Sequence, residues 1–207
     1  RLMARPYLLA ATDSEPAKRF YDVIVIGSGI AGLTAAVGAA RKWKVALISK
    51  SVLRDTTTFL AQGGIAAALG DQDSPQLHFE DTIRAGAGLC KEEAVSILVN
   101  EGPARVRELT EICPKFDRAG GDLVLGAEGA HSVPRIAHAG GDATGSEVAS
   151  ALAQAMETGS RVQVLENEFV VDLLTNGGHC IGAVSLNLTT GAFTLNFATA
   201  TVLAKIE

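Results

Sequence analysis

A chain of 207 residues, 47% hydrophobic and 20% charged, has the make-up of an ordered globular protein with room for one large domain, or a domain and part of another. Its net charge of -5 supplies no basic surface to gather nucleic acid or an anionic membrane, and its apolar stretches are too short and too often broken by Gly, Asp or Lys to cross a bilayer. Nucleic-acid and membrane partners are therefore not expected.

Residues 1–19 carry scattered Arg, two Pro and the polar Thr12-Asp13-Ser14-Glu15, and read as a flexible lead-in. Some Arg and few acids leave an organellar transit remnant open, but the stretch is too short and weakly patterned to favour it, and a start at Arg1 suggests an incomplete N-terminus. Val23-Ile24-Val25-Ile26 is a continuous β-branched run ending in glycine, as a buried parallel strand requires. Gly27-Ser28-Gly29-Ile30-Ala31-Gly32 then leads into an Ala-rich helix to about Lys42, and Val45-Ala46-Leu47-Ile48 is a second buried strand, completing a βαβ unit. Apolar residues recur at helical spacing over His78–Ala85 and Glu92–Glu111, the second stretch interrupted by Gly102-Pro103. Thr144-Gly145-Ser146-Glu147 has capping-box spacing and opens a helix to about Glu157. Beyond Arg161 the pattern alternates over Val162–Leu165, Phe169–Leu174, Cys180–Leu188 and Ala192–Leu203, with turns at Asn176-Gly177-Gly178 and Thr190-Gly191, which reads as a β-meander. Cys90, Cys113 and Cys180 are odd in number and far apart, so no metal site is expected from them and a reducing compartment, the cytoplasm, fits.

The glycine turn carries the first chemistry. Between a strand and a helix, Gly27 permits the tight turn, Gly29 lets a pyrophosphate approach the backbone, and Gly32 lets helix and strand pack closely, while the helix start offers free N–H groups and a positive dipole end. After the second strand, Ser49 and Lys50 stand where an NAD-selecting acid is expected; an ammonium only donates, which argues against a simple NAD dehydrogenase. Thr57-Thr58-Phe59-Leu60-Ala61-Gln62-Gly63-Gly64 adds hydroxyls, an amide and paired glycines, a suitable lining for a planar ring with polar edges.

These two blocks, in this order, resemble the succinate dehydrogenase, fumarate reductase and L-aspartate oxidase flavoproteins, in which the dinucleotide fingerprint is followed by an AQGG segment against the isoalloxazine. The chain is most similar to the aspartate-oxidising branch, from Tyr21 nearly to Leu203, through Asp73-Ser74-Pro75, His78, Glu80-Asp81-Thr82, Arg84 to Cys90, Glu101-Gly102-Pro103, Phe116-Asp117, Glu128-Gly129-Ala130-His131-Ser132 and Asp142-Ala143-Thr144-Gly145. The resemblance implies an α/β, doubly wound FAD/NAD(P)-binding (Rossmann-like) domain over residues 20–207, with a β-meander insertion and its closing strand at the C-terminal end. It implies FAD contacts at Gly27, Ser28, Gly29, Ile30 and Gly32, at Lys50, along Thr57, Thr58, Phe59, Leu60, Ala61, Gln62, Gly63 and Gly64, and at the backbone near Val171. Thr57 occupies the place of the histidine that bonds covalently to flavin in succinate dehydrogenases, so non-covalent FAD is implied. Glu128 is implied to orient L-aspartate by pairing with its ammonium group. His131, Arg135 and His138 lack metal-site spacing and are expected to hold loop structure, with His131 and Ser132 near the cavity.

The implied reaction is oxidation of L-aspartate to iminoaspartate by hydride transfer to FAD, with oxygen or fumarate as acceptor, the first step of de novo NAD biosynthesis, with quinolinate synthase as pathway partner. Two alternatives stand beside it. One is a fumarate reductase or succinate dehydrogenase type flavoprotein, disfavoured by Thr57 and Glu128; the other is a catalytically inactive FAD-binding fragment. Ala127 and Pro134 depart from expected arginines, Gly140-Gly141 precede Asp142 where the family has an alanine, and Lys205-Ile206-Glu207 replace the family's Ala-Thr-Gly-Gly. The domain is accordingly expected to be incomplete at its C-terminus, without the capping and helical domains and their arginine base, and inactive by itself.

Overall fold

The computed structural model describes residues 15–157 and 161–204. Most of the lead-in, residues 1–14, and Lys205-Ile206-Glu207 lie outside them. In chain order the elements are β1 (Ala17–Ile26), α1 (Ile30–Ala40), β2 (Val45–Ile48), α2 (Thr57–Leu60), β3 (Ile65–Ala66), α3 (Pro75–Gly86), α4 (Glu92–Ile112) and β4 (Arg118–Ala119). They continue with β5 (Asp122–Leu123), β6 (Leu125–Gly126), β7 (Ile136–Ala137), α5 (Thr144–Glu157), β8 (Val162–Leu165), β9 (Glu168–Asn176), β10 (His179–Asn187) and β11 (Phe193–Leu203). They form two compact units, one from the residues up to Thr56 and from Ala153 onward, the other from Thr57–Leu152.

The first unit is built on a six-stranded sheet in the order β8-β2-β1-β11-β10-β9. β8, β2, β1 and β11 run parallel, and β10 and β9 are antiparallel additions. The continuous apolar run of β1 follows from burial on both faces. Ile24 and Ile26 join Tyr21, Ala46, Ile48, Leu165 and Ala183 in one cluster, while Val25, Val45 and Leu47, on the opposite face by strand alternation, are fully buried. α1 packs against β1, β2 and β8. The closing strand is where it was expected: β11 pairs with β1 from Ala17↔Thr194 to Ile26↔Leu203. The meander is smaller than expected, because Val162–Leu165 pairs with β2 as the parallel edge strand β8 and takes no part in it. The edge strand is less buried than β2, and exposed Gln163 between half-buried Val162 and Val164 gives it the alternation of an antiparallel strand.

In the second unit, α3 starts at an N-cap where Ser74 Oγ accepts the Leu77 N–H at 3.1 Å, with Pro75 in the first turn. It packs on α4, which runs unbroken through the expected interruption at Gly102-Pro103. Pro103 has no N–H for the carbonyl four residues back, yet it lies on the buried stripe Val95, Val99, Pro103 and Val106, whose packing holds the helix together. The capping box at Thr144 does not form: Thr144 Oγ1 accepts the Ala139 N–H, the Glu147 N–H goes to Ala143 O, and the Glu147 carboxylate pairs with Lys115 at 2.7 Å. Burial of Thr144 turns its hydroxyl inward, where an orphan loop N–H competes for it. β3, β7 and β6 make a small antiparallel sheet, and the loop from β6 to β7 carries Glu128.

Candidate functional site

The expected cofactor contacts fall into both units, and each unit offers its own part. In the first, Gly27 adopts φ 109, a conformation that favours glycine, and its N–H donates to Ile48 O at 3.0 Å, tying the turn to the end of β2. A Cβ on Gly32 would stand 1.8 Å from Gly27 O, so the helix touches the turn backbone and only glycine fits. Gly29 is the N-cap of α1, extended and without a side-chain cap, and no acid occupies the first helical turn. The positive end of the helix is thus left uncompensated, which suits an anion such as a diphosphate. Ile30 opens the helix.

Sequence reasoning missed one feature of this turn. Ser28 and Ser49 are both buried and their hydroxyls meet at 2.6 Å, joining the glycine turn to the residue after β2. Small hydroxyl residues at the ends of two adjacent parallel strands were the available signal. Lys50, immediately beyond, is exposed. Val171 lies on β9, where Val170 pairs with Ser185 and Asp172 with Val184, so Val171 is the extra residue of a bulge. A bulge frees backbone groups from the ladder.

In the second unit, Thr57, Thr58, Phe59 and Leu60 form the single turn α2, followed by Ala61, Gln62, Gly63 and Gly64 leading into β3. The segment is held closely on one side. The Gly145 N–H donates to Ala61 O at 3.0 Å, and a Cβ on Gly145 would lie 1.9 Å from Thr58 O. A Cβ on Gly64 would lie 2.4 Å from Ile136 Cγ2 and 2.6 Å from Ala137 O, so Gly64 is fixed by the strand beside it. A Cβ on Gly63 would meet nothing within 4 Å, and Leu60, Ala61, Gln62 and Gly63 are exposed. The AQGG stretch is therefore packed at Gly64 and open at Gly63.

Glu128 sits in the β6–β7 loop, exposed and, among the described residues, in no ion pair. Its carbonyl accepts the His131 N–H at 3.3 Å, closing a turn in which Ala130 holds φ 69. The same loop ends in a polar cluster that only partly surfaced in the sequence. Arg135 is fully buried and its Nη2 pairs with Asp73 Oδ1 at 2.9 Å and Asp81 Oδ2 at 3.1 Å, in keeping with the loop-holding role expected of it. Ser132 donates its N–H at 2.8 Å and its hydroxyl at 2.5 Å to Asp81. Those two bonds, then Arg135 and Arg84, hold the Asp81 carboxyl below the usual carboxylate range. His78 is buried and its imidazolium is disfavoured first by desolvation and then by Arg135 and His131, the ring of His131 standing edge-on at 5.8 Å. His138 is half-buried near Gly64 and Gly126. Among the described residues no His, Cys, Asp or Glu side chains gather in a metal-binding group, and no helix is long and apolar enough to cross a membrane.

The chain is 47% identical over 169 residues to an L-aspartate oxidase of Streptomyces coelicolor, covering 81% of this chain and 29% of that protein. It is 39% identical over 202 residues to a chloroplastic L-aspartate oxidase of Arabidopsis thaliana, covering 95% of this chain and 31% of that one. Among solved structures, the quinol fumarate reductase of E. coli is similar with a TM-score of 0.84 at 32% identity, over 91% of this chain and 33% of its own. The chain thus spans about a third of the length of the curated relatives it matches. The model of the FAD binding domain family matches residues 22–206, and the chain belongs to that family, with FAD as its cofactor.

Proposed function

We propose that residues 20–207 are the FAD-binding part of a flavoprotein that oxidises L-aspartate to iminoaspartate. The start of α1 with Gly27, Ser28, Gly29, Ile30 and Gly32 holds the diphosphate, Lys50 donates to ribose or phosphate oxygens, and Thr57–Gly64 with the Val171 backbone lines the flavin. Bound FAD supplies the two-electron acceptor for the substrate's α-carbon hydride. Thr57 offers a hydroxyl where covalent attachment needs an imidazole, so FAD is held without a covalent bond.

The observation that carries the substrate assignment is Glu128, an exposed carboxylate at the head of a built turn and, among the described residues, without an ion pair. A carboxylate so placed can pair with an ammonium, which aspartate has and succinate and fumarate lack. Oxygen or fumarate accepts the electrons, and the step serves pyridine nucleotide synthesis ahead of quinolinate synthase. The free cysteines Cys90, Cys113 and Cys180 support a reducing compartment, the cytoplasm; the Arabidopsis relative is named chloroplastic.

Glu128→Gln in the full-length flavoprotein carrying this sequence tests the assignment. Loss of one charge-assisted hydrogen bond, about 1.5 to 3 kcal/mol, lowers kcat/KM for L-aspartate roughly ten- to hundredfold. Fumarate reduction is expected to hold or rise slightly, because fumarate has no amine to lose a partner. A parallel fall in both reactions would refute the assignment.

A further inference from the structure

Asp81, on α3, has 1% of its side chain exposed and yet serves three residues: Ser132 through both N–H and hydroxyl, Arg135 at 3.1 Å and Arg84 at 3.3 Å. Arg135 in turn holds Asp73. Burying a guanidinium between two carboxylates is costly, and an apolar trio would fill the same space at least as stably. What the carboxylate adds is direction, because it takes two donors from one residue and so fixes the backbone and side chain of Ser132 together.

The other end of the loop is fastened as well. The Arg135 N–H donates to Gly126 O at 3.0 Å, joining the feet of the loop, while the Arg135 guanidinium holds the carboxylate that holds Ser132. Between Ser132 and Glu128 there is only the tight turn closed by His131 N–H and Glu128 O, with Ala130 in the left-handed region. Such a conformation in a residue with a Cβ persists only where its surroundings enforce it. We infer that Asp81, Ser132 and Arg135 form a clamp that positions Glu128 for the substrate ammonium, an inference that rests on the reading of Glu128 given above. Ser132 is a positioning residue: it acts through the turn and leaves contact with the substrate to Glu128.

The test uses the full-length flavoprotein, with Ser132→Ala, Ser132→Thr, Glu128→Gln and the Ser132→Ala/Glu128→Gln double variant. Ser132→Ala is expected to raise KM for L-aspartate about three- to tenfold, part of what losing the charge-assisted bond itself would cost, with little change in kcat and full FAD content. Ser132→Thr, which keeps the hydroxyl, restores KM. In the double variant KM is expected to equal that of Glu128→Gln alone, because residues acting through one another do not add. A wild-type KM in Ser132→Ala beside a raised KM in Glu128→Gln would overturn the clamp while leaving Glu128 in its role. Multiplying effects in the double variant, or loss of FAD from Ser132→Ala, would overturn the clamp too. A Glu128→Gln protein with wild-type kcat/KM for L-aspartate would overturn the reading of Glu128, and the clamp with it.

Discussion

Replacing Gly32 by alanine puts the smallest side chain into the tightest contact of the glycine turn. Its Cβ would stand 1.8 Å from Gly27 O and 2.8 Å from the Gly27 carbonyl carbon, distances that Cβ atoms do not reach. Both atoms belong to backbone pinned to β2 through the Gly27 N–H, so α1 must withdraw by roughly 1 Å or more to regain ordinary contact. Overpacking of this kind costs about 1–3 kcal/mol. The helix start also moves from the diphosphate it serves, and if the whole cost appears in binding, FAD affinity falls roughly five- to 150-fold. Gly38 supplies the internal control, since it lies on the same helix, is exposed, and a Cβ there meets nothing within 4 Å. Gly38→Ala should leave FAD affinity alone and stabilise the helix by up to about 1 kcal/mol. The assay is titration of the apo full-length protein with FAD, followed by quenching of flavin fluorescence. Wild-type affinity in Gly32→Ala, or equal losses in both variants, would refute the packing argument.

Other outcomes follow from the same structure. Acid or heat should release all flavin as free FAD because Thr57 forms no bond to it; flavin retained on precipitated protein would contradict that reading. Ala87 caps α3 at φ 46 and ψ 41, where glycine pays no Cβ penalty, so Ala87→Gly should raise stability by about 0.5–1 kcal/mol, read as a higher Tm. His78 and Asp81 both have folded pKa values below their unfolded ones. Their contributions are complete above the unfolded values, about 6.5 and 3.9, and are lost as pH falls through the folded ones. Tm should therefore fall as pH drops below about 6.5, first through His78 and then through Asp81, and His78→Gln should remove the first part. A melting profile with no decline on acidification would contradict this.

The glycine turn and its two flanking strands were legible because burial on both faces leaves a β-branched run with no polar interruption, and because Gly27 and Gly32 answer local steric demands. The bulge at Val171 and the Ser28–Ser49 contact were not, since each depends on the register of a neighbouring strand. The Asp73–Asp81–Ser132–Arg135 cluster was legible only as separate residues. Sequence shows four polar side chains scattered along the chain, and only folding pairs them and takes Asp73, Asp81 and Arg135 out of water. Pro103 misled because its local cost is visible in sequence, whereas the stripe that offsets it, from Val95 to Val106, works through tertiary packing. At Thr144 the spacing of a capping box was correct, but the hydroxyl had a buried competitor in the Ala139 N–H. Glu128 stood out through family resemblance alone; by composition it is one more loop carboxylate.

Anaerobic mixing of the FAD-loaded full-length flavoprotein with L-aspartate or with succinate tests the central claim most directly, because bleaching of the flavin band reports electron arrival at the cofactor. Rapid bleaching by L-aspartate, with none by succinate, is the expected result. Bleaching by succinate while L-aspartate leaves the flavin oxidised would contradict the account.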